Sequence, residues 1–292
     1  TVENMITRSQ MDKREENEAI GTKKLSFFYT KEEGMVLDSL SISIPKNSYC
    51  CIVGRNGTGK STLLKIIAGL VIPTSGLLFI NGTQVTDDNV DELIGKQVGI
   101  VFQNPDSQFV GATVEEDIAF GLENNRVSYK EMLEEVKTIA EKLNLTDLLK
   151  REPTKLSGGQ MQRVALASIL VRNPSILLLD ESTSMLDPLS KIEMISMLKD
   201  LKKKFPNLTI LSVTHETAEI EKADYVIALD HEKLGFTGSP NELFSNPKLV
   251  EELGLTLPFD YQLRNDLSEL GIETSKFDNP EELGRQLCQH SK

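Results

Sequence analysis

The sequence predicts an α/β fold built on a largely parallel sheet. Three observations predict it. Apolar runs of strand length recur along the chain: SYCCIV (48–53), VGIVF (98–102), ILLLD (176–180), TILSVT (209–214) and YVIALD (225–230). Unbroken runs of this kind suit strands covered on both faces. Segments with apolar residues at helical spacing lie between them. Finally, the first run passes through a glycine-rich turn, residues 54–61, straight into a helical pattern.

The elements follow in chain order. Residues 1–21 are read as a disordered tail, because the first twenty carry eight charged positions and too little apolar surface to offset the entropy of ordering. LSFFY (25–29) and SISI (41–44) read as strands. Residues 60–70 place Leu63, Leu64, Ile67 and Leu70 on one helical face. The stretch 104–174 holds three helical segments and no convincing strand, which predicts a helical insertion; one of them follows Ser128 and Glu131, spaced as a capping box. Helices are also expected from Met161 to Val171 and from Pro188 to about Leu201, the latter ending in the solvated lysines 202–204. The main body is placed at 22–245. A small helical extension occupies 246–292, broken at Asn246-Pro247, Leu257-Pro258 and Asn279-Pro280.

Composition narrows the function. Lys and Arg total 32 against 44 Asp and Glu, a net charge of -12 that repels a phosphate backbone, so no nucleic-acid partner is expected. Cys50, Cys51 and Cys288 are odd in number and two are adjacent, which fits reduced thiols in the cytosol rather than a disulfide framework. No apolar run approaches the roughly 20 residues that cross a bilayer. A membrane role is therefore expected to run through a partner.

The chemistry begins with Gly54-Arg55-Asn56-Gly57-Thr58-Gly59-Lys60-Ser61, which fits G-x-x-x-x-G-K-[ST] between a buried strand and a helix. Its glycines let backbone N–H groups turn inward around a phosphate, and the helix start adds its dipole. Lys60 reaches the β- and γ-phosphates, and the Ser61 hydroxyl ligates Mg²⁺. ILLLD delivers Asp180 to a strand end, where it can hold Mg²⁺ through water, with Glu181 beside it to polarise an attacking water; alone, 180–183 reads equally as a polar strand end capping the next helix. Ser157-Gly158-Gly159-Gln160 opens another helix, as a plain N-cap or as a second anion site. One nucleotide cannot easily occupy two such starts in one subunit, so the second would serve the ATP of a neighbouring subunit. Gln103 and His215 follow strands and can face the nucleotide or satisfy local structure. Tyr29 can stack on adenine or pack in the core.

The set and its order resemble the ATP-binding cassette (ABC) family over about residues 22–245. GRNGTGKS corresponds to Walker A, Gln103 to the Q-loop, LSGGQ to the signature, ILLLDE to Walker B, Ser184-Met185-Leu186-Asp187 to the D-loop, and His215 to the switch histidine. The resemblance implies the cassette fold, with an antiparallel β region at its N-terminal side. It also implies an active ATPase, with a nucleotide set running from Gly54 through Thr62 plus Tyr29 and Gln103, metal held by Ser61, Gln103 and Asp180, and Glu181 and His215 as catalytic residues. Two cassettes then pair head to tail, each ATP lying between one Walker A and the partner's signature.

A narrower resemblance, carried by NPDSQFVGATVEEDIAFGLEN (104–124) and DESTSMLDP (180–188), is to energy-coupling factor ATPases of vitamin and cobalt or nickel importers, specifically the first of their two nonidentical ATPases. It implies a second ABC ATPase, a polytopic membrane scaffold and membrane substrate-binding subunits as partners, and a place on the cytoplasmic face of the cell membrane. The 104–124 segment also fits an ordinary loop and a helix capped by Thr113 with Glu116. The alternative function is a soluble ABC ATPase not engaged in transport. A phosphotransferase would leave LSGGQ and His215 unexplained.

Overall fold

The computed structural model describes residues 17–32, 34–122 and 128–269. The expected tail up to residue 16, the Asn279-Pro280 break and Cys288 lie outside these. The chain opens with β1 (Glu18–Phe27), β2 (Leu37–Leu40) and β3 (Ser43–Pro45), then β4 (Tyr49–Val53), α1 (Lys60–Ile67), β5 (Ser75–Ile80), β6 (Thr83–Gln84) and β7 (Val98–Val101). After β7 come α2 (Val114–Phe120), α3 (Tyr129–Lys142) and α4 (Gly158–Leu170), with no strand among the described residues before β8 (Ile176–Asp180). The rest is α5 (Pro188–Lys204), β9 (Thr209–Val213), α6 (Thr217–Ile220), β10 (Tyr225–Asp230), β11 (Lys233–Gly238), α7 (Pro240–Phe244), α8 (Pro247–Glu252) and α9 (Phe259–Glu269).

Two sheets result. One has the order β11-β10-β4-β9-β8-β7, parallel throughout except for the β10–β11 hairpin; the other is antiparallel, β2-β1-β5-β6, with β3 also on β1. Every residue of β4, β8 and β9 is buried, and successive side chains enter two different cores. Tyr49, Cys51 and Val53 pack with the helical side, whereas Cys50 and Ile52 pack with α1 and the antiparallel sheet. That period-two alternation explains why two small apolar thiols can stand side by side, both fully buried and unpaired. Each large aliphatic side chain buried in this way contributes roughly 1.5–3 kcal/mol.

Helix starts follow their caps. Ser128 with Glu131 and Ser157 with Gln160 form complete capping boxes, and Asp187 accepts the Leu189 and Ser190 N–H groups ahead of Pro188. At α2 only half of the expected box forms: the Thr113 hydroxyl accepts the Glu116 N–H, but the Glu116 carboxylate reaches back to the Ala112 N–H at 3.0 Å. A second correction concerns the N-terminal boundary. Residues 18–21 belong to β1, not to a tail, because Ala19 and Ile20 are fully buried in pairing with β3 and β5.

Candidate active site

Strands β4, β7, β8 and β9 all release their chains at the same edge of the parallel sheet, which is where ligands bind in open α/β sheets. From β4 comes the phosphate loop. Gly54 has φ 137°, and a Cβ there would overlap the Leu229 carbonyl oxygen of β10, so only glycine lets the loop leave the sheet along this path. The loop closes on itself: the Thr58 hydroxyl donates to the Arg55 carbonyl at 2.9 Å, and Lys60 Nζ donates to the carbonyls of Gly54 and Arg55 at 2.7 and 2.8 Å. Gly59 is the N-cap of α1 and supplies no side-chain acceptor, which leaves the first N–H groups of the helix available to an anion. Burial lowers the Lys60 pKa, and the nearby Glu181 and Asp180 carboxylates offset this in part.

Arg55 contributes its backbone alone. Its guanidinium turns away and donates to the carbonyls of Glu252 (2.7 Å) and Glu251 (3.4 Å), the last of α8. The loop is thereby tied to the C-terminal helices. Ser61 Oγ donates to Asp180 Oδ1 at 2.8 Å, joining α1 to the end of β8. Thr62 Oγ1 lies 3.2 Å from the Tyr29 hydroxyl. Tyr29 is 51% exposed and outside the core, lines the same cleft as Lys60, and meets the Phe27 ring edge-on at 4.8 Å.

Glu181 sits at φ 50°, an uncommon conformation for a side chain of this kind, held by its N–H to the Val213 carbonyl at 3.0 Å. Gln103 Nε2 donates to Glu181 Oε2 at 3.2 Å and to Ser184 Oγ at 3.1 Å. His215 Nε2 stands 3.7 Å from Glu181 Oε1, buried and without a hydrogen-bond partner. Burial and the Lys60 charge lower the His215 pKa, outweighing the opposing pull of Glu181 and Glu216. A neutral imidazole with an unsatisfied nitrogen beside a carboxylate is poised for an incoming polar group.

A cleft of about 560 Å³ gathers Tyr29, Asn56, Gly57, Gly59, Lys60, Ser61, Thr62, Glu181 and His215, together with Val36, which the sequence reading did not single out. Ser157, Gly158, Gly159, Gln160 and Asp187 are absent from its walls. Ser157 and Gly158 are exposed at the start of α4, and Asp187 caps α5. Gln103 and Asp180 do not line the cleft either, but are hydrogen-bonded to Glu181 and Ser61, which do, so one chain gathers these expected residues and leaves the signature segment apart. Sequence reasoning also missed two buried carboxylates. Asp117 accepts the Val110 and Gly111 N–H groups and the Ser168 hydroxyl, and so shapes the segment after Gln103. Glu219 is buried behind His215.

A sequence profile of the family described as ABC transporter matches residues 37–184. The energy-coupling factor transporter ATP-binding protein EcfA1 of Lactobacillus johnsonii is 43% identical over 274 residues, covering 92% of this chain and 96% of its own. The protein of the same name from Bacillus subtilis is 43% identical over 258 residues, 88% and 91% of the two chains. Among solved structures, cbiO1 from Clostridium perfringens, described as part of the ABC transporter complex cbiONQ, superposes with a TM-score of 0.75 at 28% identity, over 86% of this chain and all of its own. With the cassette's loops at one sheet edge and relatives of this closeness over nearly the whole length, the chain belongs to the ABC transporter ATP-binding family, as an ATPase of the energy-coupling factor type.

Proposed function

We propose that this chain is the ATP-hydrolysing motor of an energy-coupling factor importer at the cytoplasmic face of the cell membrane. It pairs with a second, nonidentical ABC ATPase, docks on a polytopic scaffold subunit, and powers uptake of vitamins or transition-metal ions selected by separate membrane proteins. The observation that carries this reading is the double attachment of Gln103. Its side chain holds Glu181, and the chain that leaves it forms a wall of an exposed groove of about 890 Å³ whose lining mixes apolar Phe109, Val110 and Phe120 with polar Asp91, Lys96 and Arg172. Val110 is 64% and Phe120 51% exposed, apolar anchors within a mixed groove that suits an amphipathic helix of a membrane subunit. No helix among the described residues is long and apolar enough to cross a membrane, so anchoring falls to that partner.

At the cleft, the phosphate-loop N–H groups and Lys60 hold the triphosphate, and Tyr29 takes the adenine. The oxygen donors of Ser61, Asp180 and Gln103 suit Mg²⁺, which keeps waters and phosphate ligands and needs only one protein carboxylate. When bound, the ion neutralises charge on the β- and γ-phosphate oxygens. Glu181 accepts a proton from the water that attacks the γ-phosphorus, the bond to the ADP oxygen breaks, and His215 Nε2 bonds the γ-phosphate. Ser157 to Gln160 serve the partner's ATP, with Asp187 at the same interface.

The test is affinity purification of the tagged chain from gently solubilised membranes. Recovery of a second cassette protein and a polytopic membrane protein is expected. Recovery of ribosomes, nucleic acid or no partner would leave a soluble ABC ATPase and end the importer reading.

A further inference from the structure

Two carboxylates follow His215 in the sequence HETAE. Glu216 is half-buried and pairs with Lys191 at 2.6 Å, tying the switch segment to α5. Glu219 is 1% exposed, and its partners are hydroxyls. Tyr49 Oη donates to Oε1 at 2.8 Å, Ser212 Oγ to Oε1 at 2.5 Å and Thr183 Oγ1 to Oε2 at 3.2 Å. A buried carboxylate is costly unless its oxygens are hydrogen-bonded, and these hydroxyls supply that. What the carboxylate uniquely does is join three segments at fixed spacing. Tyr49 begins the strand that runs into the phosphate loop. Thr183 is two residues past Glu181, and Ser212 lies on the strand end that carries His215.

Short-range bonds also flank the histidine. Thr214 Oγ1 accepts the Glu216 N–H at 3.0 Å, and the Glu219 N–H donates to the Glu216 carbonyl at 2.9 Å. The Glu219 carboxylate itself holds Ser212, three residues before His215, and reaches across to the Glu181 loop through Thr183. We propose, resting on the catalytic roles of Glu181 and His215 given above, that Glu219 is a positioning residue that sets where His215 stands against Glu181. It governs turnover and leaves ATP binding alone, because none of its hydrogen bonds reaches residues 54–62.

The experiment measures kcat and KM for ATP in the complex purified through the tagged chain, with Glu219→Ala in the wild-type and His215→Ala backgrounds. Displacing the imidazole by a fraction of an ångström predicts that Glu219→Ala lowers kcat about tenfold while KM stays within about twofold. In the His215→Ala background the same substitution lowers kcat by less than about twofold, since the residue it positions is gone. Thr183→Val removes one of the three hydroxyl bonds, is nearly isosteric, and gives a smaller fall in kcat with KM unchanged; it decides the matter where Glu219→Ala does not fold. Equal slowing in both backgrounds, a parallel change of kcat and KM, or an unchanged kcat in both Glu219→Ala and Thr183→Val would overturn the inference while leaving the site reading intact. Wild-type turnover in His215→Ala alone would overturn both.

Discussion

Replacing Gly54 by alanine perturbs the path of the phosphate loop, and Gly57→Ala supplies its control. Both positions have positive φ, 137° and 84°. A side chain in such a conformation costs about 1–3 kcal/mol. At Gly57 a Cβ meets nothing within 4 Å, so that term stands alone. At Gly54 the Cβ overlaps the backbone oxygen of Leu229, inside a sheet whose neighbours are fully buried. Either the loop or the end of β10 must move by about 1 Å, and forced repacking of that kind adds about 1–3 kcal/mol. At about 2–4 °C per kcal/mol, Gly54→Ala melts roughly 2–12 °C below Gly57→Ala. Because Lys60 is held by the Gly54 carbonyl, ATP affinity falls further in Gly54→Ala as well. Thermal unfolding followed by circular dichroism, with titration of a fluorescent ATP analogue, reads both. Equal melting temperatures and equal affinities for the two variants would refute the close approach of the loop to β10.

His215 titrates below the 6.5 of an unperturbed imidazole, since burial and the Lys60 charge disfavour its protonated form. Its contribution to stability is thus present above pH 6.5 and is lost as pH falls through the lowered folded value. Proton NMR of the protein's three histidines, with the His215 signal identified by its absence in His215→Ala, checks this; a midpoint at or above 6.5 contradicts it. In the groove proposed to receive a membrane subunit, Phe109→Ala with Val110→Ala is expected to reduce transport by about tenfold or more while ATP binding holds, as loss of central apolar anchors does at interfaces. Equal losses of transport and binding would place these residues in the nucleotide site instead.

The parallel core was legible because strands covered on both faces leave unbroken apolar runs, as in ILLLD and SYCCIV. The site was legible because phosphate chemistry demands glycine, lysine and hydroxyl residues at fixed spacing. The antiparallel strands β5, β6 and β11 were not singled out. In β5 only Leu78 and Ile80 are buried and the apolar run is four residues long, β6 is two residues long, and KLGFTG in β11 has no buried residue, so their signal is weak or absent. Residues 18–21 misled for the opposite reason: a charged segment precedes them, yet Ala19 and Ile20 are core. Glu219 escaped because an acidic residue one helical turn from the histidine reads as a solvated face. Its burial depends on hydroxyls contributed from Tyr49 and Thr183, 170 and 36 residues away in sequence. The Arg55 bond to α8 spans 197 residues and left no local pattern to read.

The central claim is that Glu181 activates water for ATP hydrolysis, and Glu181→Gln tests it with almost no change in shape. Phosphate release and ATP-analogue binding are measured on the complex purified through this chain. Unchanged ATP affinity, accumulation of the ATP-bound closed pair, and turnover at this site reduced about 100-fold or more are expected. Undiminished phosphate release in Glu181→Gln would contradict it.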